Sequence, residues 1–117
     1  MLHTTILKHN TKIYVRTDNY FITIECASTS SVDQRVQWWE YVYTPAADGA
    51  IISDNEILFD HPQKARYSIV HGDVYEYSLM INPVLISDGG YYRCEDVNAN
   101  PANKRKHRAS LTVVGKF

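Results

Sequence analysis

The residues in this sequence that are most clearly able to react are its two cysteines. Cys26 and Cys94 stand 68 positions apart, and the chain contains no C-x-x-C pair. Two widely separated thiols cannot form a zinc site by themselves, because a structural zinc needs four ligands. They can form one disulfide, which would place the protein in an oxidising compartment. Closing a loop of this length would stabilise the fold by about 4 kcal/mol in chain-entropy terms.

The other candidate reactive groups form no catalytic or metal-binding pattern. The five histidines are scattered and none has H-x-x-x-H spacing. We expect His61, beside Asp60, and His71, near Asp73, to form surface pairs. The sequence has no nucleophile elbow, phosphate-binding loop or catalytic carboxylate pair. We therefore predict a protein that is not an enzyme and that uses no metal or cofactor.

A basic run is the second feature that could recognise a ligand. Four of the 12 Lys and Arg residues lie within five positions, in the segment Lys104, Arg105, Lys106, His107 and Arg108. Such side chains could hold sulfate, phosphate or carboxylate groups of a glycan, a microbial surface or an acidic protein. The alternative is a solvated loop whose charges keep an edge strand unpaired. The net charge of -1 gives the whole molecule no field that would attract nucleic acid or membrane.

Short segments that alternate between apolar and polar residues carry these groups. In the segment 21–26, for example, Ile22, Ile24 and Cys26 share one face. A period of two predicts half-buried strands, and Asp-, Asn- and Gly-rich turns separate them. No helical periodicity is sustained, so we allow one helical turn before Asp88. The prediction is a single all-β domain, residues 1–117, with eight or nine antiparallel strands in two packed sheets.

The order and spacing of Cys26, Trp38 and Cys94 resemble those of the immunoglobulin superfamily. The segment 88–94 also matches the family signature D-x-G-x-Y-x-C. The resemblance extends over residues 13–114. It implies an immunoglobulin-like β-sandwich whose disulfide, Cys26 to Cys94, joins the two sheets under the indole of Trp38. It also implies that Tyr92 forms the tyrosine corner of the fold.

Two further features of the resemblance specify the subtype. Arg66 stands where the family has an arginine that pairs with the Asp of the signature, here Asp88. Twenty-eight positions separate Trp38 from Arg66, which leaves room for the C′ and C″ strands of variable-type (V-type) domains. The last strand lacks the Phe-Gly-x-Gly bulge of rearranging antigen receptors. The resemblance therefore implies an innate receptor, an adhesion molecule or an invertebrate V-like protein.

Strand alternation predicts a candidate interface on the sheet formed by strands G, F, C and C′. Its outward residues are Gln37, Trp39 and Tyr41 on strand C, with Tyr91, Arg93 and Glu95 on strand F. Tryptophan, tyrosine and arginine dominate protein interfaces, and V-type domains commonly pair through this face. The alternative is that the chain covers Trp39 and Tyr41 with its own loops.

We expect an extracellular recognition module of an immune-type receptor, secreted or part of a cell-surface ectodomain. It would bind a protein, glycan or microbial surface through the outward face or through three loops: 27–34, 53–55 and the basic run between strands F and G. One alternative is a homophilic adhesion module that forms a homodimer through the outward face. Another is an intracellular structural domain, in which both cysteines would be free thiols. We expect further domains or a membrane anchor after Phe117, and no nucleic-acid partner or direct membrane insertion for this segment.

Overall fold

The computed structural model describes residues 4–6, 11–26, 34–41, 49–72, 76–97 and 106–115. Within these ranges the chain forms ten strands and three single-turn 3-10 helices. The strands are β1 (Thr4–Ile6), β2 (Thr11–Arg16), β3 (Ile22–Glu25), β4 (Val36–Tyr41), β5 (Ala50–Asp54), β6 (Ile57–Leu58), β7 (Tyr67–Val70), β8 (Ser78–Ile81), β9 (Gly90–Asp96) and β10 (Lys106–Val114). The helical turns are Thr17–Asn19, Lys64–Arg66 and Ile86–Asp88, the last of which lies where one turn was predicted.

The strands form two sheets that pack face to face. One sheet has the order β1-β3-β8-β7 and the other has the order β2-β10-β9-β4-β5-β6. The second sheet contains β5 and β6, which occupy the positions of C′ and C″ in a V-type sandwich. The predicted fold class is therefore confirmed.

Two ladders differ from the expectation of wholly antiparallel pairing. Strand β1 runs parallel to β3, and β2 runs parallel to β10. The two strands lie at the edges of opposite sheets, so the chain supplies one edge strand to each sheet. Alternation of apolar residues indicates which face a side chain occupies, but it carries no information about the direction of the neighbouring strand. The prediction was therefore wrong for these two ladders.

The inward faces of the two sheets supply one continuous core around a disulfide. Cys26, which follows β3, is bonded to Cys94 of β9 with an S–S distance of 2.01 Å. Trp38 is opposite Cys94 in the β4–β9 register and is completely buried. Its indole N–H donates to the carbonyl oxygen of Tyr77 at 2.8 Å, so the polar atom of the buried ring is satisfied. Other core residues include Ile13, Val15, Ile22, Ile24, Ile52, Leu79, Ile81, Val84, Leu111 and Val113.

A bulge and a tight turn shape the β4–β5–β6 region. The register shifts between Trp38 and Trp39, and the extra residue opposite them, Ile52, is buried in the core. The turn between β5 and β6 is Asn55–Glu56, so the predicted loop 53–55 was placed too early. Ser53 is a buried strand residue instead, and it pairs with Trp38 of β4 and Leu58 of β6.

Candidate functional site

The second sheet presents a surface to solvent that we call the outer face. Alternation along the strands places these side chains on it: Gln37, Trp39 and Tyr41 of β4, Tyr91, Arg93 and Glu95 of β9, Arg108 and Ser110 of β10, and Ile51 and Asp54 of β5. The register sets Trp39 opposite Arg93, and Tyr41 opposite Tyr91. The structure thus brings together the five residues of the predicted interface.

Arg93 occupies the middle of the outer face and is held on several sides. Its Cζ atom lies 5.4 Å from the ring centroid of Trp39 and 5.2 Å from that of Tyr41. Its Nη2 atom lies 3.2 Å from Oε1 of Glu95, whose side chain is buried. Only 14% of the Arg93 side chain remains exposed. Cation–π contacts and the ion pair therefore fix the guanidinium in one position between two rings and a carboxylate.

Tyr41 points outward as predicted but does not contribute exposed surface. Its residual exposure is 4%, although it is not part of the core cluster between the sheets. Arg93 covers one side of the ring, and Gly49 lies so close that a Cβ atom there would be 2.7 Å from Cε1 of Tyr41. The chain therefore covers Tyr41 itself, and the expectation that this ring presents a contact surface was wrong. Trp39 and Tyr91 are only partly buried.

A polar group borders the outer face next to Trp39. The Nε atom of Arg35 and the Nε2 atom of Gln37 both donate to Oδ2 of Asp54, at 2.8 and 3.2 Å. The indole N–H of Trp39 donates to Oε1 of Gln37 at 3.3 Å. These bonds order the side chains before any partner arrives, which reduces the conformational entropy that binding would cost.

The predicted ligand loop coincides only in part with a loop. Lys104 and Arg105 lie outside the described residues, whereas Lys106, His107 and Arg108 belong to β10. Their backbone partners on β9 are Glu95, Cys94 and Arg93 respectively. The loop assignment was therefore wrong for these three residues. A basic composition alone does not distinguish a loop from the beginning of a strand, which explains the error.

An ion pair lies at the end of the sandwich near the turn before β9. The Nη1 and Nη2 atoms of Arg66 donate to Oδ2 and Oδ1 of Asp88, at 2.6 and 2.7 Å. Asp88 is 1% exposed, and its Oδ2 also accepts the N–H of Leu85 at 2.7 Å. The hydrogen bonds with Asp88 raise the pKa of the Arg66 guanidinium, even though burial alone would lower it. Arg66 and Asp88 therefore form the ion pair that the resemblance predicts.

The tyrosine corner sits beside this ion pair. The hydroxyl group of Tyr92 donates to the carbonyl oxygen of Asp88 at 2.6 Å and thereby ties strand β9 to its preceding turn. Gly90, between these residues, has a φ of 153°, a conformation that favours glycine.

A partly buried carboxylate next to the tyrosine corner was not predicted. Oε1 of Glu40 lies 3.2 Å from Nε2 of His61, and Oε2 accepts the hydroxyl of Tyr67 at 3.2 Å. Oε2 also lies 3.4 Å from the hydroxyl of Tyr92. Burial first, and then neighbouring groups that include Glu40, raise the pKa values of Tyr67 and Tyr92. Alternation along β4 does place Glu40 on the inward side with Trp38, and that signal could have identified it.

The surroundings of two histidines also differ from expectation. His61 is buried against Glu40 and the ring of Tyr67, so the predicted surface pair with Asp60 was wrong. The ring of His71 stacks on Tyr77, with centroids 4.3 Å apart, and its Nδ1 contacts the carbonyl oxygen of Glu76. Asp73, its expected partner, lies outside the described residues. Both histidines therefore have local packing roles that sequence neighbours did not reveal.

Reactive chemistry is sparse in the described part of the chain. No group of three or more histidine, cysteine or acidic side chains there is arranged to hold a metal ion. Across those same ranges, no helix has the length and apolar character needed to cross a membrane. Both cysteines are used in the disulfide. The chemistry that this surface offers is noncovalent: aromatic contact area, cation–π contacts and charged hydrogen bonds.

Comparison with known proteins identifies the fold but not a family. No protein-family model matches the sequence, and no curated protein sequence matches it. The chain is similar in structure to the complex of the ZIG-8 and RIG-5 IG1 domains, with a TM-score of 0.70, 17% identity, and coverage of 92% of this chain and 85% of that chain. It is also similar to the ZIG-8 IG1 homodimer, with a TM-score of 0.67, 14% identity, and coverage of 94% and 82%.

A third solved structure has the same fold in a larger protein. Dpr11 IG1 bound to DIP-gamma IG+IG2 matches with a TM-score of 0.67 and 22% identity, covering 91% of this chain and 47% of that chain. All three structures contain immunoglobulin domains. With the sheet order and the disulfide, these matches show that the chain has the fold of an immunoglobulin-superfamily V-type domain.

Proposed function

We propose that this chain is an extracellular recognition domain that binds a protein partner through the outer face around Trp39, Tyr91 and Arg93. The observation that carries the proposal is the fixed position of Arg93 between two aromatic rings and Glu95. An ordered arginine beside half-buried aromatic side chains is the composition found at the energetic centres of protein interfaces. We propose no catalytic function, since the groups on this face suit noncovalent binding.

The structural matches support a protein as the partner. The matched ZIG-8 and RIG-5 domains form a heterodimer, and Dpr11 IG1 is bound to DIP-gamma in its structure. Those pairings belong to those proteins, and we extend only the type of interaction to this chain. The disulfide supports an extracellular setting, because such bonds persist in oxidising compartments. Membership of an immune-type receptor is part of the same proposal.

A second candidate is homophilic adhesion through the same face. The ZIG-8 IG1 domain, which resembles this chain, crystallised as a homodimer, and two-fold homodimers are the commonest assemblies. A glycan or microbial surface remains a further candidate ligand for the basic segment 104–108, part of which lies in β10.

The decisive experiment is a binding array of extracellular protein domains that includes this chain itself. Trp39→Asp should abolish capture of any true partner, because it removes the ring over Arg93 and places a charge at the centre of the face. The matched control is Tyr14→Asp, which changes an aromatic residue on β2 that is 65% exposed. Circular dichroism would verify that both variants fold. Capture that survives Trp39→Asp, or that is lost equally in Tyr14→Asp, would contradict the proposal.

Sedimentation of the isolated domain separates the two candidates. Concentration-dependent dimers that disappear in the Trp39→Asp variant would establish the homophilic mode. A monomer at all concentrations, together with capture of another domain on the array, would establish the heterophilic mode.

A further inference from the structure

We infer that the outer face accepts a carboxylate side chain of an acidic protein partner between Arg93 and Arg108. The inference rests on the proposed function and specifies the chemistry of the partner. It follows from the pairing of these two arginines, their unpartnered Nε atoms and the balance of charge around them.

The first observation is that two arginines oppose each other directly. In the antiparallel register of β9 and β10, Arg93 is paired with Arg108, and both side chains belong to the outer face. Side chains that are directly opposite in a ladder have Cβ atoms about 5 Å apart, and like charges at such positions repel each other. The arrangement is unfavourable for the isolated fold, so a binding role gives a reason for it.

The second observation is that both guanidinium groups have an unused donor. The Nε atoms of Arg93 and Arg108 are buried, and neither has a hydrogen-bond partner within the described residues. Arg93 uses Nη2 for its ion pair with Glu95. Buried polar atoms are nearly always hydrogen-bonded, so two unpartnered donors on one pair of side chains leave the pair short of acceptors. A carboxylate bound against the two guanidinium groups would supply negative charge and acceptor atoms there.

The third observation is an excess of positive charge at this point. Glu95 is bonded to Arg93, and the carboxylate of Asp54 is already held by Arg35 and Gln37. Among the described residues, one carboxylate therefore accompanies two guanidinium groups at the Arg93–Arg108 pair. A second carboxylate would neutralise the site, and the planar fork of a guanidinium suits carboxylate oxygens.

The surroundings favour a protein side chain as the source of that carboxylate. Trp39, Tyr91 and Ile51 flank the arginines on a sheet surface, and Ile57 at the sheet edge is well exposed. A broad apolar surround with a central charge matches the core of a protein interface. A second copy of this chain is disfavoured, because a two-fold axis through the site would set one arginine pair against another.

The test uses a defined probe and the folded domain. Arginine Nε–H resonances would be recorded by nuclear magnetic resonance during titration with acetyl-glutamate amide in low-salt buffer, and with acetyl-glutamine amide as the neutral probe. We expect the resonances of Arg93 and Arg108 to shift together and to saturate with the glutamate probe only. Arg108→Gln should abolish the shift at Arg93, whereas Arg16→Gln, at an exposed arginine of β2, should leave it intact.

Three outcomes of the titration would overturn the inference. The first is that neither resonance moves, and the second is that both probes act equally. The third is that a sulfated disaccharide moves these resonances while the glutamate probe does not, which would assign the site to glycans. Thermal unfolding distinguishes a binding role of Arg108 from a role in stability. Arg108→Gln should keep or raise the melting temperature, because it removes the repulsion between Arg108 and Arg93. A large decrease would indicate that Arg108 serves the fold.

The array experiment and this titration can fail separately. If the array captures no protein while both arginines respond to glutamate, the proposed function fails and the carboxylate site remains. If Trp39→Asp abolishes capture but Arg108→Gln weakens it less than about 30-fold, the interface stands and the inferred carboxylate contact is wrong.

Discussion

Arg66 and Asp88 face each other through two hydrogen bonds that join the beginning of β7 to the turn before β9. The same guanidinium donates to the carbonyl oxygen of Pro83 at 2.9 Å, and Asp88 caps the turn through the N–H of Leu85. One ion pair therefore joins the segment before β7 to the segment 83–88, which is about 20 positions away. Because Asp88 is almost completely buried, either partner left alone would be an uncompensated charge or an unsatisfied donor.

Replacement of Asp88 by asparagine should strongly destabilise the domain. Removing one partner of a buried ion pair costs about 3–5 kcal/mol in the free energy of unfolding. Urea denaturation monitored by fluorescence would measure the change. Asp18→Asn is the matched control, because its ion pair with Arg16 is largely exposed and should contribute less than about 1 kcal/mol. Similar losses in the two variants would contradict the prediction.

Stability should decrease in alkaline solution because of the buried tyrosines. Burial, followed by the charge of Glu40, raises the pKa of Tyr67 above its unfolded value of about 10. Above that pH the unfolded chain releases the phenolic proton while the folded chain retains it. The free energy of unfolding should therefore be unaffected by this group below about pH 10, and should fall above it by up to about 1.4 kcal/mol per pH unit.

Urea titrations between pH 8 and 11 would test this for the natural chain and for Tyr67→Phe. The variant should lose stability less steeply above pH 10, since one titrating hydroxyl is gone. Tyr14→Phe, at an exposed position of β2, is the matched control for the loss of one tyrosine hydroxyl. Identical slopes for the natural chain and Tyr67→Phe would exclude this explanation.

Loss of the disulfide should remove a large part of the stability. The bond between Cys26 and Cys94 closes a loop of 68 residues, which corresponds to about 4 kcal/mol in the chain-entropy view. Denaturation of the Cys26→Ala/Cys94→Ala variant, or of the reduced natural chain, would measure this. Mass measurement of the natural protein without reductant should find no free thiols. Free thiols in that material would favour the intracellular alternative.

The two adjacent tryptophans should respond very differently to substitution by alanine. Trp38 fills the centre of the core, so Trp38→Ala should cost about 3–5 kcal/mol or prevent folding. Trp39 lies on the outer face and contacts Arg93, so Trp39→Ala should cost only about 1 kcal/mol. Equilibrium unfolding of the two variants provides the comparison. A greater loss for Trp39 would mean that its ring, and not that of Trp38, supports the fold.

Residues whose roles depend on local order and spacing were predictable from the sequence. The disulfide, the inward position of Trp38 and the tyrosine corner at Tyr92 follow from a motif with fixed strand positions. Alternation gave the correct face for Arg93 and Trp39. It also placed Tyr41 on the correct face. Alternation does not predict exposure, however, and Gly49 and Arg93 cover the ring of Tyr41.

Residues whose roles depend on distant neighbours were not predictable. Glu40 meets His61, Tyr67 and Tyr92, which are 21, 27 and 52 positions away. The opposition of Arg93 and Arg108 requires the β9–β10 register, which the basic composition of the segment obscured. Strand direction at the edges is also a long-range property, since the partner of β2 lies at the other end of the described chain.

The parallel ladder of β2 and β10 has a mechanical consequence. Six residue pairs connect these strands, from Thr11 with Ala109 to Arg16 with Val114. Tension applied to Thr11 at one end of β2 and to Val114 at the opposite end of β10 acts parallel to both strands. All six pairs are then loaded in shear at the same time. They must then break together, whereas a hairpin pulled open at one end would lose its bonds one by one. This ladder should therefore resist tension along the strands better than a hairpin of the same length.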